Sequence, residues 1–129
     1  MGKLTLDYLL DRKSKQDKMG LSTFNVDSLN ASIEIVKIKT RKLCEIMDKY
    51  DVEHDKVTSS YDMMCEVIYK CVPMLQSKDL KEKLNVPTPY EVVGELFEFS
   101  EIQQIANYIM ELHGITDKKQ MPIDNEIKN

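Results

Sequence analysis

The sequence predicts a mainly α-helical domain of about five helices with an N-terminal β-hairpin, an all-α chain being the alternative. Three observations carry this expectation. From Thr40 to Ile115 apolar residues recur at helical spacing over most of the chain. Helix-start and helix-stop residues punctuate that same stretch. The earlier segment 23–39 is instead rich in β-branched side chains, which lose rotamer freedom in a helix and fit a pleated surface. At 129 residues the chain is most simply one domain, spanning 1–115, with a flexible C-terminal tail at 116–129.

The elements follow in order. Residues 4–17 carry Leu6, Leu9 and Leu10 among charges, the pattern of a short amphipathic helix. "DKMGLS", with Gly20, reads as a linker. Segment 23–39 is ambiguous. As a helix it would continue a stripe of Leu29, Ile33, Val36, Thr40, Leu43, Met47 and Tyr50. As strands, "TFNVDSL" and "SIEIVKIK" flank a turn-prone Asn30-Ala31. Five of the eight residues from Ile33 to Thr40 are β-branched, which favours the hairpin, with a helix then running from Thr40 to Tyr50. A two-stranded hairpin is marginal alone, so helices must pack on it.

"DVEHDKVTSS" reads as a polar loop. Ser59 then stands at capping-box spacing from Asp62, ahead of a helix whose stripe is Met64, Val67, Ile68, Cys71 and Val72, and which Pro73 terminates. Ser77 opens a brief helix, "KDLKEKL". Thr88-Pro89-Tyr90-Glu91 predicts a further start with Pro89 at the first helical position. Twelve residues on, Ser100-Glu101-Ile102-Gln103 predicts the last start. That helix carries Ile102, Ile105, Ala106, Ile109 and Leu112 inward, and Gly114 is placed for a left-handed C-cap with Ile115 folding back.

Composition narrows the function classes. Hydrophobic residues are 42% and charged residues 31%, a soluble globular balance rather than a disordered one. Net charge is −4 with interspersed signs, which argues against a nucleic-acid binder, since neutralising phosphates needs a clustered basic surface. No stretch of 18 uninterrupted apolar residues exists to span a membrane. Asp7 and Asp11 break the N-terminal apolar run, so it does not read as a signal peptide, and Leu6 stands where a myristoylation signal wants a hydroxyl. Cys44, Cys65 and Cys71 are odd in number and form no CxxC, so they read as reduced thiols.

No catalytic constellation, metal site or cofactor site is legible. His54 sits among Asp51, Glu53 and Asp55 at no metal-ligand spacing and reads as part of a solvated acidic loop. His113 precedes Gly114, where a cation suits the helix dipole. Cys65 and Cys71 lie off a single helical face and read as packing thiols. The reading is therefore non-enzymatic. Methionine is over-used, with eight in the chain, and Met residues recur on surfaces that accept varied apolar partners. Met63 lies off its helix's core stripe and Met110 beside its own. With Leu96, Phe97, Phe99 and Ile102 at the corner between the last two helices, they form the candidate partner-binding set. The competing reading is that the corner residues and Met110 close the core.

"LQSKDLKEKLNVPTPYEVVGELFEFSEIQQIANYIMELHGI" resembles the tail assembly chaperones of tailed phages and prophages, the XkdN-like group. The shared features are Asp79-Leu80, Thr88-Pro89 with Glu91, the Ser100-Glu101-Ile102 restart, and the closing Leu112-His113-Gly114-Ile115. "SIEIVKIKTRKLCEIM" resembles the family's strand-then-helix segment, and "LDYLLDRK" its short N-terminal helix. The chain departs in having Phe99-Ser100 where the family usually has Pro-Gly, and Val72-Pro73 where it often has Glu-Pro. The resemblance implies a non-enzymatic holdase in the bacterial host cytoplasm, absent from the mature virion. It would bind the tape measure protein and help recruit tail tube subunits, with self-association left open. The other functional reading is a small phage-borne or bacterial adaptor that binds one folded protein.

Overall fold

A computed structural model describes residues 2–18, 21–50 and 57–115. The order is α1 (Leu6–Lys18), β1 (Leu21–Val26), β2 (Ala31–Val36), α2 (Thr40–Tyr50), α3 (Val57–Cys71), a 3-10 turn (Pro73–Gln76), α4 (Lys78–Leu84), α5 (Glu91–Leu96) and α6 (Phe99–Leu112). The architecture is mainly helical with one antiparallel hairpin, so segment 23–39 takes the strand alternative. Of the loop expected over 51–60, residues 57–60 instead belong to α3, while the part around His54 and the expected tail at 116–129 lie outside the described residues.

The hairpin pairs Leu21 with Val36 through Val26 with Ala31. Its strands are joined by a 3-10 turn over Asp27–Leu29, closed by Asn30 at φ 51°, whose N–H donates to Asp27 O at 3.0 Å. Asparagine tolerates this left-handed position because its short polar side chain bonds locally. Paired residues share a face, so Phe24, Val26, Ile33 and Ile35 turn inward while Thr23, Asn25, Ser32 and Glu34 stay in solvent. The inner face meets α6 through Phe24, 5.0 Å from the Tyr108 ring, and through a hydrogen bond between the Ser22 and Tyr108 hydroxyls. Leu21 and Ser22, expected in a linker, thus belong to β1, because only a strand beginning there brings Ser22 opposite Tyr108.

Helix α3 runs through the centre and touches α2, α5 and α6. Its Val67, Ile68 and Cys71, with Val72 beyond its end, are fully buried against Leu43 of α2, Val92 and Val93 of α5, and Ile102, Ile105 and Ile109 of α6. The helix starts at Val57, so Ser59 lies inside its first turn and is not the cap. The polar first turn hides this start, because a helix held by a packed stripe extends outward over residues with no apolar signal of their own.

Two other caps differ in detail. At Thr88 the chain makes three successive i→i+3 bonds, from the amides of Glu91, Val92 and Val93 to the carbonyls of Thr88, Pro89 and Tyr90, each 3.2 Å. The α-helix proper therefore begins at Glu91, and the Thr88 hydroxyl donates to the Glu91 carboxylate at 3.1 Å instead of accepting an amide. At α6 the capping box is Glu98 with Glu101, not Ser100 with Gln103: each carboxylate accepts the other residue's amide, the Glu98 amide at 2.9 Å. Ser77 caps α4 as expected, accepting from the Leu80 amide. Gly114, at φ 84°, completes a Schellman motif in which the Gly114 and Ile115 amides donate to Glu111 and Met110 carbonyls at 2.9 and 2.8 Å.

One polar group is buried inside this core. Glu66 of α3 is 1% exposed, and its carboxylate accepts from Lys49 Nζ at 2.8 and 2.9 Å and from the Tyr50 hydroxyl at 2.6 Å. Lys49 Nζ also lies 5.6 and 5.8 Å from the centres of the Tyr50 and Tyr90 rings. Burial pushes the Glu66 carboxyl upward. The bonds from Lys49 and Tyr50, with the attraction of Lys49 and Lys70, outweigh it and hold the carboxyl below its ordinary value of 4.5. Burial and the bond to Glu66 push the Tyr50 hydroxyl strongly up.

Glu66→Gln should cost about 2 kcal/mol in urea unfolding, toward the low side for a buried pair because Lys49 is half-exposed. Because the folded carboxyl sits below its unfolded value, its contribution is complete above about pH 4.5 and is lost as pH falls through the folded value. Melting temperature should therefore fall on acidification in the native chain and fall less in Glu66→Gln. Parallel acid limbs would contradict this.

Candidate partner-binding surface

Helices α5 and α6 meet at a corner only two residues long. Phe97 and Glu98 are both extended, at φ −125° and −78°, so the chain leaves one helix and enters the next at once. Extended backbone sends successive side chains to opposite sides. Phe97 is 8% exposed and fills the core, whereas Leu96 and Phe99 are 39% and 47% exposed. Phe99 lies against the Tyr61 ring of α3 at 6.1 Å, with the planes 28° apart.

The six residues singled out from the sequence thus fall into three groups. Leu96 and Phe99 face solvent at the corner. Phe97 and Ile102, the latter 1% exposed, are buried. Met63 and Met110 are half-buried and pack against the core.

Beside the corner runs a groove of about 540 Å³, lined by Tyr50, Tyr61, Asp62, Cys65, Thr88, Tyr90, Glu91, Gly94 and Glu95. It is aromatic in its walls, it holds three carboxylates, and no Lys or Arg lines it. Gly94 lies against the end of the Tyr61 ring, where an added Cβ would force the Tyr61 hydroxyl to move. Burial raises the Tyr61 hydroxyl, helped by Cys65, Asp62 and Glu91. Burial likewise pushes the Cys65 thiol up to about 11, and Cys71 the same, so both are protonated packing groups rather than nucleophiles.

Sequence reasoning missed this groove because its residues are scattered over α2, α3 and α5, and no local spacing joins them. Gly94 inside a short helix was the one available signal. His113 also proves to be a clasp: Nδ1 donates to the Ile109 carbonyl at 2.8 Å, and Nε2 lies 3.1 Å from both the amide and carbonyl of Ile38. It ties the end of α6 to the chain leaving the hairpin. Among the described residues no group of three His, Cys, Asp or Glu is placed to hold a metal ion. No described helix is long and apolar enough to cross a membrane.

One further surface stands apart. Side chains of residues 2–15 are all exposed, so α1 places none of its Leu6, Leu9 and Leu10 stripe in the core.

No curated protein matches the chain, and no solved structure does. A family model does, over residues 6–128: the phage XkdN-like tail assembly chaperone protein, TAC.

Proposed function

The chain belongs to the phage XkdN-like tail assembly chaperone family, and on that premise we propose that it binds the tape measure protein and helps recruit tail tube subunits during tail morphogenesis. Membership implies a tail assembly role, non-enzymatic and played by an assembly factor rather than a virion part. The work is then done in the bacterial host cytoplasm, on tail proteins as they are made.

The observation that supports the finer reading is the exposed corner, Leu96 and Phe99, beside the aromatic groove. A helical partner with apolar residues at i, i+3 and i+4 can lay one face on such a surface. The contact is small, and weak individual contacts suit copies that coat a long chain and must later be displaced. Within the six-residue set, Leu96 and Phe99 meet the partner, Phe97 and Ile102 hold the corner in shape, and Met63 and Met110, half-buried against the core, add apolar surface elsewhere, Met110 near the far end of α6.

Co-expression with the tape measure protein should keep that protein soluble, and the two should co-purify in mild salt. Phe99→Ser should abolish co-purification while changing stability by about 1 kcal/mol or less, the size of one ring contact. Phe97→Ser should instead cost about 3 kcal/mol through loss of a buried ring. Insoluble tape measure protein despite abundant chaperone would overturn the reading. So would one saturable complex with a folded host protein in its place.

A further inference from the structure

We propose that the cleft between α2 and α3 bearing Lys42, Lys49 and Lys70 docks an acidic helical segment of a partner protein. One apolar side chain of that segment enters the cleft, between carboxylates that meet the lysines. The proposal stands on this cleft alone and holds whichever tail protein supplies the segment.

Charge is unevenly spread along the chain. Its net charge is −4, yet Lys37, Lys39, Arg41 and Lys42 fall within six consecutive positions, and no carboxylate lies between Glu34 and Glu45. All four basic side chains are exposed. Arg41 and Lys42 stand in the first turn of α2, which carries no acid. That is the positive end of the helix dipole, where cations weaken a helix. Arg41 offsets part of this through Glu45, one turn on, at 3.2 Å. Lys37, Lys39 and Lys42 make no ion pair among the described residues. The stability of α2 therefore does not account for them.

A cleft of about 420 Å³ opens beside these cations. From α2 it is lined by Lys42, Glu45, Ile46 and Lys49, at i, i+3, i+4 and i+7 on one face of that helix. From α3 it is lined by Glu66 and Lys70, and Ile38 completes it. Ile46 is buried and Ile38 half-buried, so apolar surface lies among the charges. The two carboxylates are already engaged: Glu66 accepts from Lys49 and Tyr50, and Glu45 accepts from Arg41. Lys42 and Lys70, both exposed, hold no carboxylate at ion-pair distance among the described residues and remain for an incoming anion.

Spacing selects the occupant. Lys42 and Lys49 are two turns apart, about 10 Å along α2. Carboxylates two turns apart on a helix lying alongside match them, and an apolar side chain one turn from each comes over Ile46. The neighbouring groove, with Asp62, Glu91 and Glu95, has the opposite charge and turns the same segment away. A nucleic acid fits the cleft poorly, because two carboxylates line it and no aromatic ring is there to stack on a base. Contacts of this kind give specificity and speed of association more than affinity, so docking is weak and salt-sensitive.

The test is fluorescence anisotropy on the full chain with a labelled alanine-based helical peptide carrying glutamates at i and i+7 and a leucine at i+4. The native chain should bind it in low salt and release it as salt is raised. Lys42→Glu/Lys70→Gln should bind at least about tenfold more weakly. Both positions are exposed and the bonds of Lys49 and Tyr50 to Glu66 are left in place, so circular dichroism and melting should match the native chain. A peptide with lysines for its glutamates should not bind. Phe99→Ser at the corner and Asp62→Asn in the neighbouring groove should leave binding within about twofold of native, which separates this surface from the one proposed for the tape measure protein. A native chain that does not bind the acidic peptide would overturn the proposal. Undiminished binding by Lys42→Glu/Lys70→Gln would overturn it too. So would tighter binding of a single-stranded oligonucleotide matched in charge, the result expected of a nucleic-acid site.

Discussion

Glu66 is the constraint on which the helical core depends. Moving a carboxylate from water into the middle of α3 costs several kcal/mol, and only close, well-aimed donors offset it. Both donors, Lys49 and Tyr50, come from the last turn of α2. Helix α2 must therefore end where it does and cross α3 at one angle, since any slip would strand the charge. Lys49 also lies over Tyr90, which meets Tyr69 edge-on at 5.3 Å, so the same interaction reaches the turn that opens α5. Apolar packing alone would tolerate several arrangements of these helices. A buried carboxylate with fixed donors penalises all but one.

That fixed arrangement determines what the surface can be. Because α2, α3 and the turn before α5 are locked together, the tyrosines they carry converge on one groove wall. Gly94 of α5 faces the end of the Tyr61 ring with no side chain of its own, and the two-residue corner turns Phe97 inward and Phe99 outward. The corner's exposed ring is held by its stack on Tyr61 rather than left free to collapse. A rigid apolar feature loses less entropy on binding than a mobile one.

Much of this was legible in the sequence, and the gaps have physical causes. The helix from Thr40 to Tyr50, the cap at Ser77 and the glycine-closed end at Gly114 depend on local rules, and local rules found them. The hairpin was found by β-branching against a competing helical stripe. The capping boxes at Thr88 and Ser100 were placed near the right turns but on the wrong atoms, because several nearby Thr, Ser and Glu residues compete and tertiary fit decides among them. Glu66 was invisible: a glutamate in an amphipathic helix reads as solvated, and its donors lie seventeen and sixteen residues away. The corner residues were named as one set, but the backbone divides them by burial, which depends on two dihedral angles that sequence spacing does not report.

The division between closed core and open margins bears on how a tail assembly chaperone operates. An assembly factor that is not part of the virion must let go of the tail proteins it handles, so its contacts cannot be too tight. A large apolar face would bind tightly and release slowly, since differences in affinity reside mostly in dissociation. Here the exposed large apolar side chains are scattered, among them Leu6, Leu9 and Leu10 on α1, Leu21 and Leu29 on the hairpin, Met74, and Leu96 with Phe99 at the corner, so no single broad apolar face forms. Small exposures of this kind keep a defined shape only if the body beneath them is fixed, and the buried Glu66 network supplies that by joining α2 to α3.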